Sequence, residues 1–199
     1  MRRGVCIAIA LLALPAVAET RLDVAKLSVD GVEVRIADDG DTPVGDLLPE
    51  LPVLELTLLP VQVRQAALAR NAAAEGARGD VLAFLDDDDL WRPGHLEGLA
   101  QAFEDPAVGF AWRDAEVVRE TIAPDGTRVT GERVTLARDW DDALMASNDY
   151  LPPSAFAFRR SVFESLGGFD PTFRYSEDWD LVLRARAATR MARVPGVGA

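Results

Sequence analysis

The sequence predicts an α/β fold in which a mostly parallel sheet is flanked by helices. Three observations lead to this prediction. Short apolar runs of strand length alternate along the chain with longer segments of helical character. Two of the apolar runs end in clustered aspartates, at 38–39 and at 86–89. No internal repeat or low-complexity linker interrupts the 199 residues, so one domain is expected.

The elements follow from local patterns. The predicted strands are short apolar runs bounded by turn residues, at 4–12, 32–37, 52–59, 79–85, 107–112 and 154–159. The predicted helices show helical apolar spacing or many alanines, at 19–29, 61–77, 93–104, 160–168 and 176–190. Ser176 is the expected N-cap of the last helix. Between 115 and 137, two extended arms surround Pro124-Asp125-Gly126, which indicates a hairpin.

The composition excludes several classes of protein. The 21 Lys and Arg residues against 33 Asp and Glu give a net charge of −12, which argues against general nucleic-acid binding. Cys6 and His95 are each the single residue of their type, so an internal disulfide and a multi-His or multi-Cys metal site are excluded within this chain.

The first twenty residues allow two interpretations. A basic start, an apolar stretch and Ala16-Val17-Ala18 fit a secretory signal peptide. Alternatively, the run at 4–12 is the first buried strand of the parallel sheet. Periodicity cannot separate the two, so a secreted protein and a cytoplasmic one both remain open at this point.

The stretch "FLDDDDLW" at 84–91 is the strongest candidate site. Four adjacent carboxylates are most often a solvated loop, but here a buried strand leads into them and Trp91 closes the run. The carboxyl ends of strands are where α/β sheets bind ligands. Asp38 and Asp39 end another predicted strand and can meet the same crevice. Clustered aspartate oxygens suit a hard divalent cation, Mg²⁺ or Mn²⁺.

Two further positions carry competing explanations. Arg70 is either a solvated residue of an exposed helix face or a phosphate ligand. Glu177 and Asp178 either favour the start of a helix through its dipole or supply a general base. Because the dipole lowers the pKa of a carboxyl group there, a base at this place needs apolar or acidic neighbours.

The chain resembles the family 2 glycosyltransferases of the GT-A fold. The matching stretches occur in the order of the family over most of residues 31–186, and they are "VEVRIADDGDT", "ARNAAAEGARGDVLAFLDDDDLWRPGHLE", "SAFAFRRSVFESLGGFD" and "SEDWDLVLRA". The resemblance implies a nucleotide-sugar-binding half at 1–113 and an acceptor-side half at 114–199, within one domain.

The resemblance also implies roles for individual residues. Asp39 would contact the nucleotide base with Asp38 beside it, and Arg70 would lie near the nucleotide. Asp86 and Asp88 match the Asp-x-Asp motif that holds the metal and the donor. Asp178 matches the catalytic base, and residues 148–175 would form the acceptor side. The implied reaction is an inverting, Mg²⁺- or Mn²⁺-dependent transfer from a nucleoside-diphosphate sugar to a hydroxyl acceptor.

Departures from the family pattern keep alternatives open. The region 11–17 is apolar where relatives have a polar nucleotide loop, Asp41 replaces a serine, and the chain ends soon after the last helix. One alternative is a catalytically degenerate relative that binds a sugar nucleotide. Another is a secreted acidic domain that binds Ca²⁺ at 86–89. The resemblance favours the strand at 4–12 and therefore a cytoplasmic protein. Peripheral membrane association and the oligomeric state stay open.

Overall fold

The computed structural model describes residues 5–11, 32–38, 55–86 and 88–199, and of residues 5–11, 32, 38, 55 and 56 it gives the backbone alone. The predicted helix at 19–29 lies outside the described residues. The described strands are β1 Val5–Leu11, β2 Val32–Asp38, β3 Glu55–Pro60, β4 Val81–Asp86, β5 Val108–Ile122, β6 Arg128–Leu136, β7 Phe156–Arg159 and β8 Arg190–Val197. The described α-helices are α1 Ala66–Ala74, α2 His95–Ala102, α3 Asp142–Met145, α4 Arg160–Ser165 and α5 Glu177–Ala188.

The strands form one sheet with a parallel half and a mixed half. The order is β3-β2-β1-β4-β7-β5-β6, and β8 pairs with β5. The pairs β3–β2, β2–β1 and β1–β4 are parallel, as the sequence predicted. From β7 onward the pairing is antiparallel, except that β8 runs parallel to β5. The predicted fold class is therefore confirmed, with a larger antiparallel share than the phrase mostly parallel implies.

The strand register brings the two acidic strand ends to one edge of the sheet. Along β1, Leu11 lies opposite Asp38 of β2, and Ala10 lies opposite Asp86 of β4. The chain moves outward from β1 through β2 to β3 and then returns to pair β4 on the other side of β1. Such a reversal of strand order opens a crevice at the carboxyl ends of the strands. Residues 5–11 thus form the strand that the alternative to a signal peptide required.

Side chains of β4 alternate between two hydrophobic cores. Leu82 and Phe84 face a core that also contains Phe158, Phe163 and residues of α1 and α5. Their neighbours in β4 face a second core on the opposite side of the sheet. This core contains Leu96 and Leu99 of α2 and Phe103, which directly follows that helix. A strand that is buried on both faces reads as a continuous apolar run, which is why β4 was recognised in the sequence.

Three local expectations need correction. β5 extends to Ile122 and pairs with β6 as one long hairpin, so the strand at 107–112 and the first arm are one element. The helix expected at 61–77 covers only Ala66–Ala74. Ser176 occupies the N-cap position of α5, but its φ is 63° and its side chain makes no capping hydrogen bond.

Strand β8 was not predicted. Its sequence "RMARVPGV" contains Pro195 and two arginines, which disfavour a strand assignment. Those arginines find acidic partners: Arg190 binds Asp105, and Arg193 donates to both carboxylate oxygens of Asp114. Among the described residues, no helix combines the length and the apolar character that crossing a membrane requires.

Candidate active site

Arg70 lies at the centre of the candidate site. Helix α1 places its guanidinium group beneath the edge of the sheet, where the residue is only 5% exposed. Its Nε and Nη2 atoms donate to the two oxygens of Asp86 at 3.0 and 2.8 Å, and Nη1 donates to Glu177 at 2.7 Å. Burial alone would lower the pKa of Arg70, but the charges and hydrogen bonds of its two carboxylate partners outweigh it and the pKa is raised. Arg70 is therefore not a solvated residue on an exposed helix face. Its side chain joins the acidic end of β4 to the start of α5.

The acidic loop after β4 is fastened to a buried serine. The backbone N–H of Asp86 donates to the Ser154 hydroxyl at 3.0 Å, and the indole N–H of Trp91 donates to the Ser154 carbonyl at 2.7 Å. The N–H of Asp89 closes a turn on the carbonyl of Asp86 at 3.1 Å. Trp91 therefore ends the acidic run by a hydrogen bond, and the loop is held at both ends.

The carboxylates of this loop have different environments. Asp88 and Asp89 are both exposed as residues, but desolvation of its carboxyl group raises the pKa of Asp89, against a hydrogen bond from Ser154 that lowers it. The nearby charges of Asp86 and Asp88 add to the rise. Like charges that are crowded in this way are relieved by a cation.

A divalent cation fits this loop when a diphosphate completes its coordination. Among the described residues, which exclude Asp87, no three His, Cys, Asp or Glu side chains converge on one point. Mg²⁺ is usually held by one or two carboxylates together with substrate phosphates rather than by an all-protein cage. Asp88 offers one such carboxylate. Asp86 accepts two hydrogen bonds from Arg70, and a carboxylate with about four acceptor positions keeps capacity for a cation.

Asp178 lies in the first turn of α5, beside Glu177, and is half-buried. Burial raises the pKa of Asp178; the hydrogen bond from the Trp179 N–H at 2.8 Å opposes the rise, and the negative charge of Glu177 adds to it. The neighbours that a base at a helix start requires are therefore present. The left-handed backbone of Ser176 immediately precedes this pair.

A cavity of about 210 Å³ adjoins Asp178. Its lining residues come from the hairpin, from the segment before β7 and from α5, and they are Val117, Leu136, Asp149, Tyr150, Leu151, Pro152, Pro153 and Asp178. Partial burial, with the charge of Asp178 adding to it, raises the pKa of Asp149 to about 6. The cavity thus combines an apolar wall with two carboxylates.

Asn71 connects α1 to the turn that precedes α5. Its side-chain amide donates to the Phe169 carbonyl at 2.7 Å and accepts from the Phe169 N–H at 2.9 Å. Gly168 has a φ of +72°, and a Cβ atom there would lie 2.6 Å from the Asn71 Oδ1 atom. The "RN" and "GGF" stretches quoted above are therefore in direct contact.

The structure brings together most of the site residues that the sequence predicted. Arg70, Asp86 and Glu177 are in contact, Asp88 lies in the same loop, and Asp178 follows Glu177. Asp39 lies outside the described residues, and for Asp38 only its backbone position at the sheet edge is described. Sequence reasoning did not single out Asp149 or Ser154. Neither residue belongs to a recognisable pattern, and only the buried strand that follows at 156 hinted that this segment reaches the core.

Solved structures of similar fold include two glycosyltransferases. The chain superposes on S. aureus TarS 1–349 in complex with UDP-GlcNAc with a TM-score of 0.68 and 16% identity, over 98% of this chain and 57% of that one. The mannosyltransferase PcManGT from Pyrobaculum calidifontis, in complex with GDP-Man and Mn²⁺, gives a TM-score of 0.65 and 21% identity, over 99% and 56%. The architecture is therefore that of the GT-A glycosyltransferases.

A sequence profile described as glycosyl transferase family 2 matches residues 9–167. The chain belongs to glycosyl transferase family 2, as its resemblance predicted. An uncharacterised glycosyltransferase of Bacillus subtilis, YwdF, is 34% identical over 92% of this chain and 67% of its own length. The pre-mycofactocin glycosyltransferase of Mycobacterium tuberculosis is 32% identical over 79% of this chain and 34% of its own length. The chain thus spans between one third and two thirds of these relatives.

Proposed function

We propose that the protein transfers a sugar from a nucleoside-diphosphate sugar to a hydroxyl acceptor, with inversion at the anomeric carbon. The observation that carries this proposal is the contact of Arg70 with both Asp86 and Glu177. It brings the loop suited to a diphosphate and its cation next to the carboxylate suited to a base. Membership of the family and the UDP-GlcNAc and GDP-Man complexes of TarS and PcManGT support a nucleotide-sugar donor.

The donor side of the proposed site lies at the edge of the parallel strands, within residues 1–113. Asp88 and Asp86 would hold Mg²⁺ or Mn²⁺, and Asp38 and Asp39 would meet the nucleotide from β2. When bound, the cation supplies Lewis-acid stabilisation of the departing diphosphate. Arg70 keeps the carboxylate of Asp86 fixed in position, since three of its N–H groups donate to Asp86 and Glu177.

Asp178 acts as the general base. It takes the proton of the acceptor hydroxyl, whose oxygen forms a bond to the anomeric carbon while the bond from that carbon to the diphosphate oxygen breaks. Attack from the side opposite the leaving group inverts the configuration. The raised pKa suits Asp178 to this role, since a carboxyl group of ordinary pKa is a weak base near neutral pH.

The test is transfer and donor binding in Asp178→Asn. Asparagine keeps the shape and an acceptor oxygen but cannot take the proton, so turnover should fall by roughly 10²–10⁴-fold. Donor affinity should stay at the parental value, because the base acts on the acceptor. Saturating Mn²⁺ with UDP-glucose, UDP-GlcNAc and GDP-mannose as donors gives both numbers.

Asp180→Asn is the matched control. Asp180 lies in the same first turn and pairs with Arg184 rather than with the site, so its variant should retain nearly full turnover. Glu177 is unsuitable as a control because it neutralises Arg70. Near-parental turnover in Asp178→Asn would remove this residue from the mechanism. Nucleotide binding without any turnover in the parent would favour the degenerate relative.

A further inference from the structure

The cavity beside Asp178 contains a second carboxylate that the proposed chemistry does not use. Asp149 lines the same cavity and comes from a different segment of the chain. Its Oδ1 atom accepts the Leu151 N–H at 3.0 Å, which fixes the carboxylate against its own backbone. Within the described part of the chain, no arginine, lysine or histidine forms an ion pair with it.

The rest of the cavity wall is largely apolar. Leu151, Pro152 and Pro153 of the segment before β7 line it, together with Val117 and Leu136 of the hairpin. Its volume of about 210 Å³ lies below the roughly 300–1,000 Å³ of pockets for drug-sized ligands, which suits a single sugar ring. A pyranose has C–H groups that pack on an apolar wall and hydroxyl groups that donate to carboxylates.

Every residue of this cavity belongs to the segment 114–199. None comes from the acidic loop or from β1 to β4, where the donor is proposed to bind. A ligand in this cavity would therefore meet Asp178 without contacting the loop where the diphosphate is proposed to bind, as an acceptor must.

We infer that Asp149 binds a second hydroxyl group of the acceptor, next to the hydroxyl that Asp178 deprotonates. The acceptor is accordingly a sugar that presents two neighbouring hydroxyls. The inference rests on the proposed function and gives its acceptor a chemical class. Asp149 takes no proton in the transfer step: the proton of the reacting hydroxyl goes to Asp178, and the neighbouring hydroxyl keeps its own while it donates to Asp149.

Electrostatics agree with this assignment. Partial burial and the charge of Asp178 make ionised Asp149 unfavourable, with a pKa of about 6. A hydroxyl donor in the cavity would stabilise the ionised form, since hydrogen bonds to a charged group are worth more than neutral ones. The ionised form of Asp149 is therefore most stable when an acceptor is bound.

The test compares acceptor kinetics of the parent and Asp149→Asn. The acceptors are methyl pyranosides of gluco, galacto, manno and N-acetylglucosamine configuration, and products are measured by mass spectrometry with each donor named above and Mn²⁺. Asparagine keeps the bond to the Leu151 N–H, so the fold is retained. We expect acceptor KM to rise roughly 10–100-fold, as the loss of one charge-assisted hydrogen bond predicts, with donor KM unchanged.

Monodeoxy acceptors provide the second arm. Removing the hydroxyl next to the reacting one should raise KM by a similar factor for the parent and have little effect in Asp149→Asn. Asp141→Asn is the control: Asp141 also accepts backbone N–H groups, at the start of α3, but is exposed and does not line the cavity.

The outcomes separate the two proposals. Donor hydrolysis without transfer to any pyranoside overturns the assignment of Asp149 and leaves the donor chemistry in place. A change in donor KM alone assigns Asp149 to the donor sugar and also overturns it. If removing that hydroxyl raises the acceptor KM equally in the parent and in Asp149→Asn, then Asp149 does not bind that hydroxyl. If the protein neither binds nor turns over any of the donors, the proposed function itself is refuted.

Discussion

Arginine is required at position 70 because of the shape of its side chain. A planar guanidinium group has five N–H donors in a fixed geometry. Here two of its nitrogen atoms donate to the carboxylate of Asp86, and the third donates to Glu177. A lysine carries the same charge but cannot reproduce the paired contact. The residue thus holds together two acidic groups that would otherwise repel each other in a buried place.

Replacing Arg70 by methionine tests this interpretation. The variant leaves the buried Glu177 and the partly buried Asp86 without a cation, so the free energy of unfolding should fall by about 3–5 kcal/mol. Urea denaturation at equilibrium measures the change. In the control Arg128→Met, an exposed pair with Glu120 at 3.0 Å is lost, and the expected cost is below about 1 kcal/mol. A similar small cost for both variants would show that Arg70 is not a structural centre of the site.

Asp88 gives a prediction of the opposite kind, on binding rather than on stability. Asp88→Asn removes a charged oxygen from the proposed cation, so UDP and GDP should bind in the presence of Mn²⁺ at least about 10-fold more weakly, the lower range for disturbing a metal site. Stability should change little or rise, because repulsion within the acidic loop is relieved. Calorimetric titration with and without Mn²⁺ separates the two effects. Unchanged Mn²⁺-dependent affinity would remove Asp88 from the metal site.

At the scale of elements, the position of α1 relative to the turn before α5 depends on one side-chain amide and one glycine. Asn71 satisfies both backbone groups of Phe169, and Gly168 provides the left-handed turn that lets the backbone approach it. Since Arg70 precedes Asn71 and Glu177 follows this turn, the contact also aligns the charged residues of the site.

Two adjacent glycines allow this contact to be isolated. Gly167 and Gly168 have φ values of +80° and +72°, so alanine at either position pays about 1–2 kcal/mol for the left-handed conformation. At Gly167 nothing lies within 4 Å of the added Cβ atom, whereas at Gly168 it meets Asn71. Gly168→Ala should therefore be less stable than Gly167→Ala by a further amount of about 1–3 kcal/mol, the cost of unsatisfied buried groups. Thermal or urea unfolding of both variants would refute this if the two were equally stable.

The sequence predicted those elements whose pattern is local. β4 was recognised by its continuous apolar run, and the hairpin by its turn. β8 was missed because its arginines are paired with acidic residues far away in sequence, which no local pattern shows. The same limit applies to the site: the acidic loop was visible as a run, but Asp149 is a single aspartate that only the tertiary fold brings to the same cavity as Asp178. The N-cap role of Ser176 failed because its backbone is left-handed rather than extended, as a capping residue requires.

At the scale of the whole molecule, a net charge of −12 coexists with one buried histidine. His95 is 1% exposed, stacks on Trp91 at 5.0 Å, and has no hydrogen-bond partner on either ring nitrogen among the described residues. Burial lowers the pKa of His95 to about 3, and the charge of Arg113 contributes. The folded state therefore holds this ring in its neutral form.

This pKa predicts a pH dependence of stability. The unfolded chain binds a proton at His95 near pH 6.5, and the folded state only near pH 3. The stabilising contribution is thus complete above pH 6.5 and is lost as the pH falls from 6.5 towards 3. Over that window the free energy of unfolding of the parent should fall by up to about 1.4 kcal/mol per pH unit more than that of His95→Leu. Urea denaturation of both proteins between pH 4.5 and 8 measures the difference, and parallel curves would contradict the burial of a neutral ring.

The two carboxylate partners of Arg70 are synthesised at different times. Arg70 and Asp86 are separated by 16 positions, whereas Arg70 and Glu177 are separated by 107. A ribosome delivers the first pair close together in time and the third partner much later. A nascent chain that stops before α5 therefore holds one cation and one carboxylate, with an arginine fork that is half occupied. Charge balance at this centre is therefore reached only once the segment that carries Glu177, the second carboxylate partner of Arg70, has been synthesised.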